Sequence, residues 1–193
     1  MKRLTGFMGW MLLTSMLCTE GLLVMQDRWR EAIPLHICSI AALCALWAAW
    51  GERKQGAVDF LWYIGMPGAV LALAFPAPAK SSCQLLFNAS YVMTHALIVL
   101  ILIALLFCGI RPRPAQTVRM MLVLQGIALL AFFVNEALDT DFLFLHAPPP
   151  NTPLEWVFGR GYPAYLLVLE GMMFSICTLQ SRLLRVFEKN GAD

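Results

Sequence analysis

Six stretches of this chain are each long and apolar enough to cross a bilayer, and that feature constrains the fold more than any other. A helix needs about 20 mostly apolar residues to cross a hydrocarbon core roughly 30 Å thick. The stretches are Gly6–Met25, Ile33–Trp50, Ala57–Phe75, Cys83–Ile110, Val118–Ala137 and Tyr162–Leu183. Only 13% of the residues are charged, against roughly 25% in soluble domains. No length is left for a separate soluble domain. The expectation is an all-α, polytopic membrane helix bundle with about six transmembrane helices, residues 1–193 forming one integral membrane domain.

Short loops orient such a chain, because excess Lys and Arg stay on the cytoplasmic side. With both ends inside, that side holds Lys2, Arg3, Arg53, Lys54, Arg111, Arg113, Arg119, Arg182, Arg185 and Lys189. The other side holds Arg28, Arg30, Lys80 and Arg160. Ten against four predicts N-in, C-in, in the inner cell membrane. The net charge of +2 then reports topology and implies no nucleic-acid partner. Lys2-Arg3 before an apolar run imitates a signal peptide, yet no Ala-x-Ala site follows and Leu17 precedes Cys18, so the segment reads as a retained helix. The six cysteines lie scattered in apolar context without metal-type spacing. They imply neither a disulfide framework nor a metal site, and nothing in the chain calls for a cofactor.

Punctuation along the chain is informative. Pro34 is expected to open the second helix, since a missing N–H is harmless in a first turn, which sets His36 one turn in. Gly65-Met66-Pro67-Gly68 predicts a kink in the third helix and close approach of a neighbour. Between the fifth and sixth helices, Phe142–Leu145 is too short to span and Pro148-Pro149-Pro150 follows. That region is expected to re-enter the membrane or lie along its surface.

Ionisable groups inside apolar helices are costly and functional by default. Sorted by depth, the intramembrane polar residues fall in the outer half: Glu20, His36, Asn135 and Glu136, with His95 and Glu170 deeper. They are expected to line an outward-facing polar pocket. A histidine beside a carboxylate can act as general acid or base, because imidazole titrates near neutrality. Cys38 follows His36 by two positions, about 200° around a helix, so the two side chains point apart. Each group also has a plainer explanation: the histidines and glutamates pair across helices, Asn135 with Asp139 and Asp141 caps a helix, and Cys38 packs.

The ordered pieces Ile33-Pro34-Leu35-His36-Ile37-Cys38, Gly65 to Pro76, His95-Ala96-Leu97-Ile98-Val99, Asn135, Thr140–Leu145, Pro148 and Tyr162-Pro163-Ala164-Tyr165 cover about two-thirds of the chain. This set resembles the YwaF-like bacterial integral membrane proteins, relatives of an animal multi-pass phospholipid acyltransferase. The chain is similar to a shortened, divergent member: Asp141-Phe142 stands for Asn-Tyr, and Tyr162 and Ala164 stand for Trp. The animal relative's proposed nucleophile is a cysteine between the proline and the histidine, where this chain has Leu35. The resemblance implies a lipid-handling protein, a phospholipid as substrate, and acyl transfer or ester cleavage. His36 and His95 would then be base or orienting groups, Asn135 an oxyanion stabiliser, Glu20 or Glu170 an orienter, and Cys38 a substitute nucleophile. The same polar groups would serve a small-solute or proton-coupled transporter, although no inverted repeat relates the two halves. A non-catalytic membrane assembly protein is the third reading. Substrate and oligomeric state are not written in the sequence.

Overall fold

The structure is a computed structural model, and it describes residues 2–52, 54–76, 82–150 and 152–190. Of the expected features, the charges Arg53 and Lys80 lie outside these residues. All described regular structure is helical. The chain forms two compact units, Met1–Arg111 and Pro112–Asp193.

The first unit contains α1 (Lys2–Met25), α2 (Ile37–Trp50), α3 (Gln55–Ala74) and α4 (Gln84–Phe107). Helix α1 packs against α2 and α4, and α3 packs against α2 and α4. Small residues make this possible, because in lipid the gain comes from close van der Waals fit rather than from escape from water. Ala41, Ala42, Ala45 and Ala48 of α2 are fully buried, as are Leu12 of α1, Ile64 of α3, and Ile98, Ile101 and Leu102 of α4. Trp50 leans on the glycines of α1: its Nε1 donates to the Gly6 carbonyl at 3.3 Å, and its ring centroid stands 5.1 Å from that of Trp10.

Five helices are long and apolar enough to cross a membrane: Arg3–Met25, Gln55–Ala74, Gln84–Phe107, Thr117–Leu138 and Tyr162–Phe187. The second expected span is shorter, because α2 begins at Ile37 rather than at Pro34. Its 14 residues rise only about 21 Å. The cause is local. Leu35 N–H bonds the Ile33 carbonyl two residues back at 2.8 Å, closing a γ-turn whose central residue is Pro34, and proline's fixed φ suits that position. His36 then stands outside the helix as its N-cap, with φ −65° and ψ 145°.

The kink expected in α3 takes a specific form. Leu61–Gly65 is a π-helical segment, in which Met66 N–H reaches back five residues to the Leu61 carbonyl. Pro67 has no N–H to offer, and its ring would clash with the carbonyl four residues back in a regular helix. Widening the preceding turn relieves that conflict. Gly65 faces α2 so closely that a Cβ on it would stand 3.0 Å from Ala41 Cβ.

The second unit contains α5 (Thr117–Leu138), a 3-10 turn (Phe142–Phe144), the short α6 (Leu154–Phe158) and α7 (Tyr162–Asn190). Thr117 Oγ1 donates to the Cys177 carbonyl at 3.2 Å, Ala115 N–H donates to Ser181 Oγ at 3.0 Å, and Gln125 bonds Glu170. Advancing along α5 while retreating along α7 makes the pair antiparallel. The loop between them folds onto the helices: Phe142 is buried, and the Phe158 ring meets Tyr165 edge-on with centroids 5.5 Å apart.

Two glycines give opposite expectations. Gly65→Ala forces the α2–α3 contact apart and should cost about 1–3 kcal/mol, as overpacking does. Gly126→Ala, where a Cβ meets nothing within 4 Å, should stabilise α5 by about 0.5–1 kcal/mol. Thermal unfolding in a mild detergent compares the two.

Candidate functional site

His95 has the most defined chemistry in the first unit. It is 5% exposed, on the buried face of α4 with Thr94, Leu97 and Ile98. Its Nδ1 lies 2.7 Å from the Tyr91 carbonyl oxygen one turn back. A carbonyl oxygen only accepts, so Nδ1 carries the proton and donates, and in the neutral ring Nε2 keeps its lone pair. Nε2 makes no hydrogen bond among the described residues. The Tyr91 ring packs on the imidazole with centroids 4.2 Å apart, and Tyr91 Oη donates to the Ala72 carbonyl of α3 at 3.2 Å. The histidine is therefore held in one tautomer by its own helix and braced by a tyrosine tied to the next.

The neighbouring hydroxyls are already committed. Ser15 Oγ on α1 donates to the Ser90 carbonyl at 2.8 Å, and Thr94 Oγ1 lies 2.7 Å from Ser15 Oγ. With the serine proton spent on a carbonyl, Thr94 must be the donor between the two hydroxyls. This pair joins α1 to α4 inside the membrane and is not available as a nucleophile.

The other expected groups of this unit are placed differently from one another. Glu20 lies five residues after Ser15 on α1; its Oε2 is enclosed and has no hydrogen-bond partner among the described residues. It does not pair with a histidine or an arginine there. His36 caps α2 and Cys38 is in that helix's first turn, both half-buried. Because His36 is extended and outside the helix, the 200° separation expected of two helical residues does not describe them.

In the second unit Asn135 is 1% exposed, and its amide organises the loop after α5. Nδ2 donates to the Phe142 carbonyl at 3.1 Å, while Oδ1 accepts from Phe142 N–H at 2.8 Å and from Thr140 Oγ1 at 3.1 Å. Its backbone carbonyl takes the N–H of Asp139, which ends α5 in the left-handed conformation at φ 55°, ψ 54°. Asp141 accepts from the His146 and Ala147 N–H groups, and Tyr165 Oη donates to the Phe144 carbonyl at 2.6 Å. Asn135 and the aspartates thus hold a helix end and its loop, which leaves the Asn135 amide occupied rather than poised toward an oxyanion.

Glu170 receives a hydrogen bond from Gln125 Nε2 at 2.5 Å. The two sit in an open groove of about 520 Å³ within this unit, whose apolar lining includes Ala128, Phe132, Leu145 and Leu166. Sequence reasoning passed over His146, the third histidine. Its Nε2 lies 3.2 Å from Glu136 Oε1. The signal was there: a histidine ten residues after a carboxylate, across a helix end that the loop folds back. Among the described residues, no three His, Cys, Asp or Glu side chains gather as a metal site would require.

The sequence profile of the TMEM164 family matches residues 1–180. The chain belongs to the TMEM164 family. The match takes in all four helices of the first unit and α5, α6 and most of α7 of the second, so this family member is a multi-pass membrane protein with transmembrane helices. Comparison with curated proteins finds no match, and comparison with solved structures finds none.

The Asn135 staple gives a direct expectation. Asn135→Asp keeps the acceptor for Phe142 N–H but cannot donate to the Phe142 carbonyl, and Asn135→Ala removes both. Each abandoned buried group costs about 1–3 kcal/mol. Hydrogen–deuterium exchange of residues 139–147 should therefore accelerate modestly in Asn135→Asp and strongly in Asn135→Ala. Unchanged exchange in both would remove the staple role.

Proposed function

We propose that this TMEM164-family protein handles a membrane phospholipid in the inner cell membrane and catalyses acyl transfer or ester cleavage, with His95 as general base. The observation that carries the reading is the fixed tautomer of His95. Its Nδ1 proton is committed to the Tyr91 carbonyl, so Nε2 is a lone pair on an imidazole buried among apolar helices. The ordered resemblance to YwaF-like proteins and their acyltransferase relative supports the same chemistry.

The step follows from what the site offers. Nε2 takes the proton of a hydroxyl, from a lysophospholipid for transfer or from water for cleavage, as its oxygen attacks the ester carbonyl of a diacyl lipid. The tetrahedral intermediate collapses by breaking the bond to the leaving glycerol oxygen, and that oxygen takes the proton back from Nε2. Through the cycle the Tyr91 carbonyl stabilises the transient imidazolium by accepting from Nδ1–H. Leu35 supplies no thiol, and the Ser15 and Thr94 protons are already spent; the reading is direct transfer, with the free thiol of Cys38 in the first turn of α2 as the alternative nucleophile. His36 is left as a second, more peripheral imidazole, and the partner is the lipid itself.

Purified protein in vesicles that contain a labelled diacyl phospholipid and an unlabelled lysophospholipid tests this. Acyl exchange should exceed that of empty vesicles. His95→Gln should lower it about 10²–10⁴-fold, the usual worth of a positioned base, and Tyr91→Phe should leave the tautomer, and hence the rate, within a few-fold. Wild-type exchange no faster than empty vesicles would refute the enzymatic reading; exchange that survives His95→Gln would refute the base.

A further inference from the structure

A second intramembrane carboxylate takes no part in chemistry at His95. Glu170 lies eight residues into the span Tyr162–Phe187, about 12 Å from its start by helical rise. One carboxylate oxygen receives the Gln125 amide; the other has no partner, and no Lys, Arg or His pairs with the group among the described residues. A carboxylate at that depth is costly unless a cation or a proton meets it. Among the described residues the group meets an amide donor and no cation.

The surroundings say what kind of group would complete it. The groove holding Glu170 has a volume of about 520 Å³, within the range of small-molecule sites. Its remaining lining is apolar apart from Gln125 and the Tyr162 hydroxyl. Phe132 and Tyr162 present aromatic rings to the same space, and ring faces attract ammonium groups, more strongly where water is excluded. Within this unit the groove is open rather than enclosed.

The geometry points to this groove as a binding site for a lipophilic cation, an alkylammonium whose head meets Glu170 and whose chain lies along Phe132, Leu145 and Leu166. Charge complementarity decides among occupants. An alcohol of the same length offers a hydrogen bond to the free oxygen but leaves the charge uncompensated, and a plain lipid tail offers neither. The site is in the second unit and requires nothing of His95, so amine binding and acyl exchange stand or fall separately.

The test uses the full chain in lipid nanodiscs at neutral pH with tritiated dodecylamine as probe. Saturable binding above empty nanodiscs is expected, with unlabelled dodecanol competing at least tenfold more weakly than unlabelled dodecylamine. Glu170→Gln should weaken amine binding at least tenfold. Ala128→Phe, which fills the groove and leaves the carboxylate in place, should abolish it, and keeps the test decisive if Glu170→Gln does not stay monodisperse. Binding no greater than in empty nanodiscs overturns the proposal. So does dodecanol competing as well as the amine, or amine binding that survives either substitution.

Discussion

Hydrocarbon offers backbone N–H and C=O groups no solvent partner, so the chain must satisfy them itself. Helices meet that demand along most of the described residues, and three interruptions of the ladder are accommodated by identifiable devices. Pro34 sits at the centre of a γ-turn ahead of α2. Pro67 is preceded by a π-helical turn in α3. Beyond α5, the Asn135 side chain supplies both the donor and the acceptor that Phe142 of the loop needs. These three departures from plain helix are therefore consequences of the same constraint that makes the rest of the fold helical.

How the helices meet follows from composition rather than from hydrophobic driving force. Alanines on α2 and glycines on α1 and α3 let backbones and rings approach closely, and the Ser15–Thr94 pair adds a directional bond between α1 and α4. Such interhelical hydrogen bonds average only about 0.6 kcal/mol in membranes. Here the bond's larger effect is on register: it fixes which turn of α1 faces Ser90, one turn before His95.

Much of this was legible in the sequence. Long apolar runs gave the helices to within a few residues, because a span's length is set by the bilayer and not by its neighbours. Pro67 with its glycines gave the irregularity in α3, though not its π form, which depends on how the preceding turn yields. Pro34 misled, since proline suits a γ-turn as well as a first helical turn and only the hydrogen bond of Leu35 tells them apart. Among the candidate site residues, depth could rank them but could not assign partners. Glu20 and His95 are both intramembrane groups on helices that pack together, yet one is enclosed without a hydrogen bond and the other is locked by its own backbone. Asn135 looked like a catalytic amide for the same reason that it is a good staple: an amide can donate and accept at once. His146 was missed because its partner Glu136 becomes a neighbour only when Leu143 and Phe144, both at positive φ, turn the loop back.

The π segment of α3 also bears on how this chain tolerates change in length. A bond that spans five residues instead of four encloses one residue more than a regular turn needs, so Leu61–Gly65 behaves as a stored insertion. Removing a single residue there would let the turn tighten into ordinary α-helix while Val58 and Phe60 on one side, and Ala69 on the other, kept facing the interior. The same removal from the middle of α4, which has no such slack, would rotate its N-terminal half by about 100° relative to the rest and turn Ser90 away from Ser15. Within one unit, then, two membrane helices of similar length differ sharply in how much indel variation they can absorb.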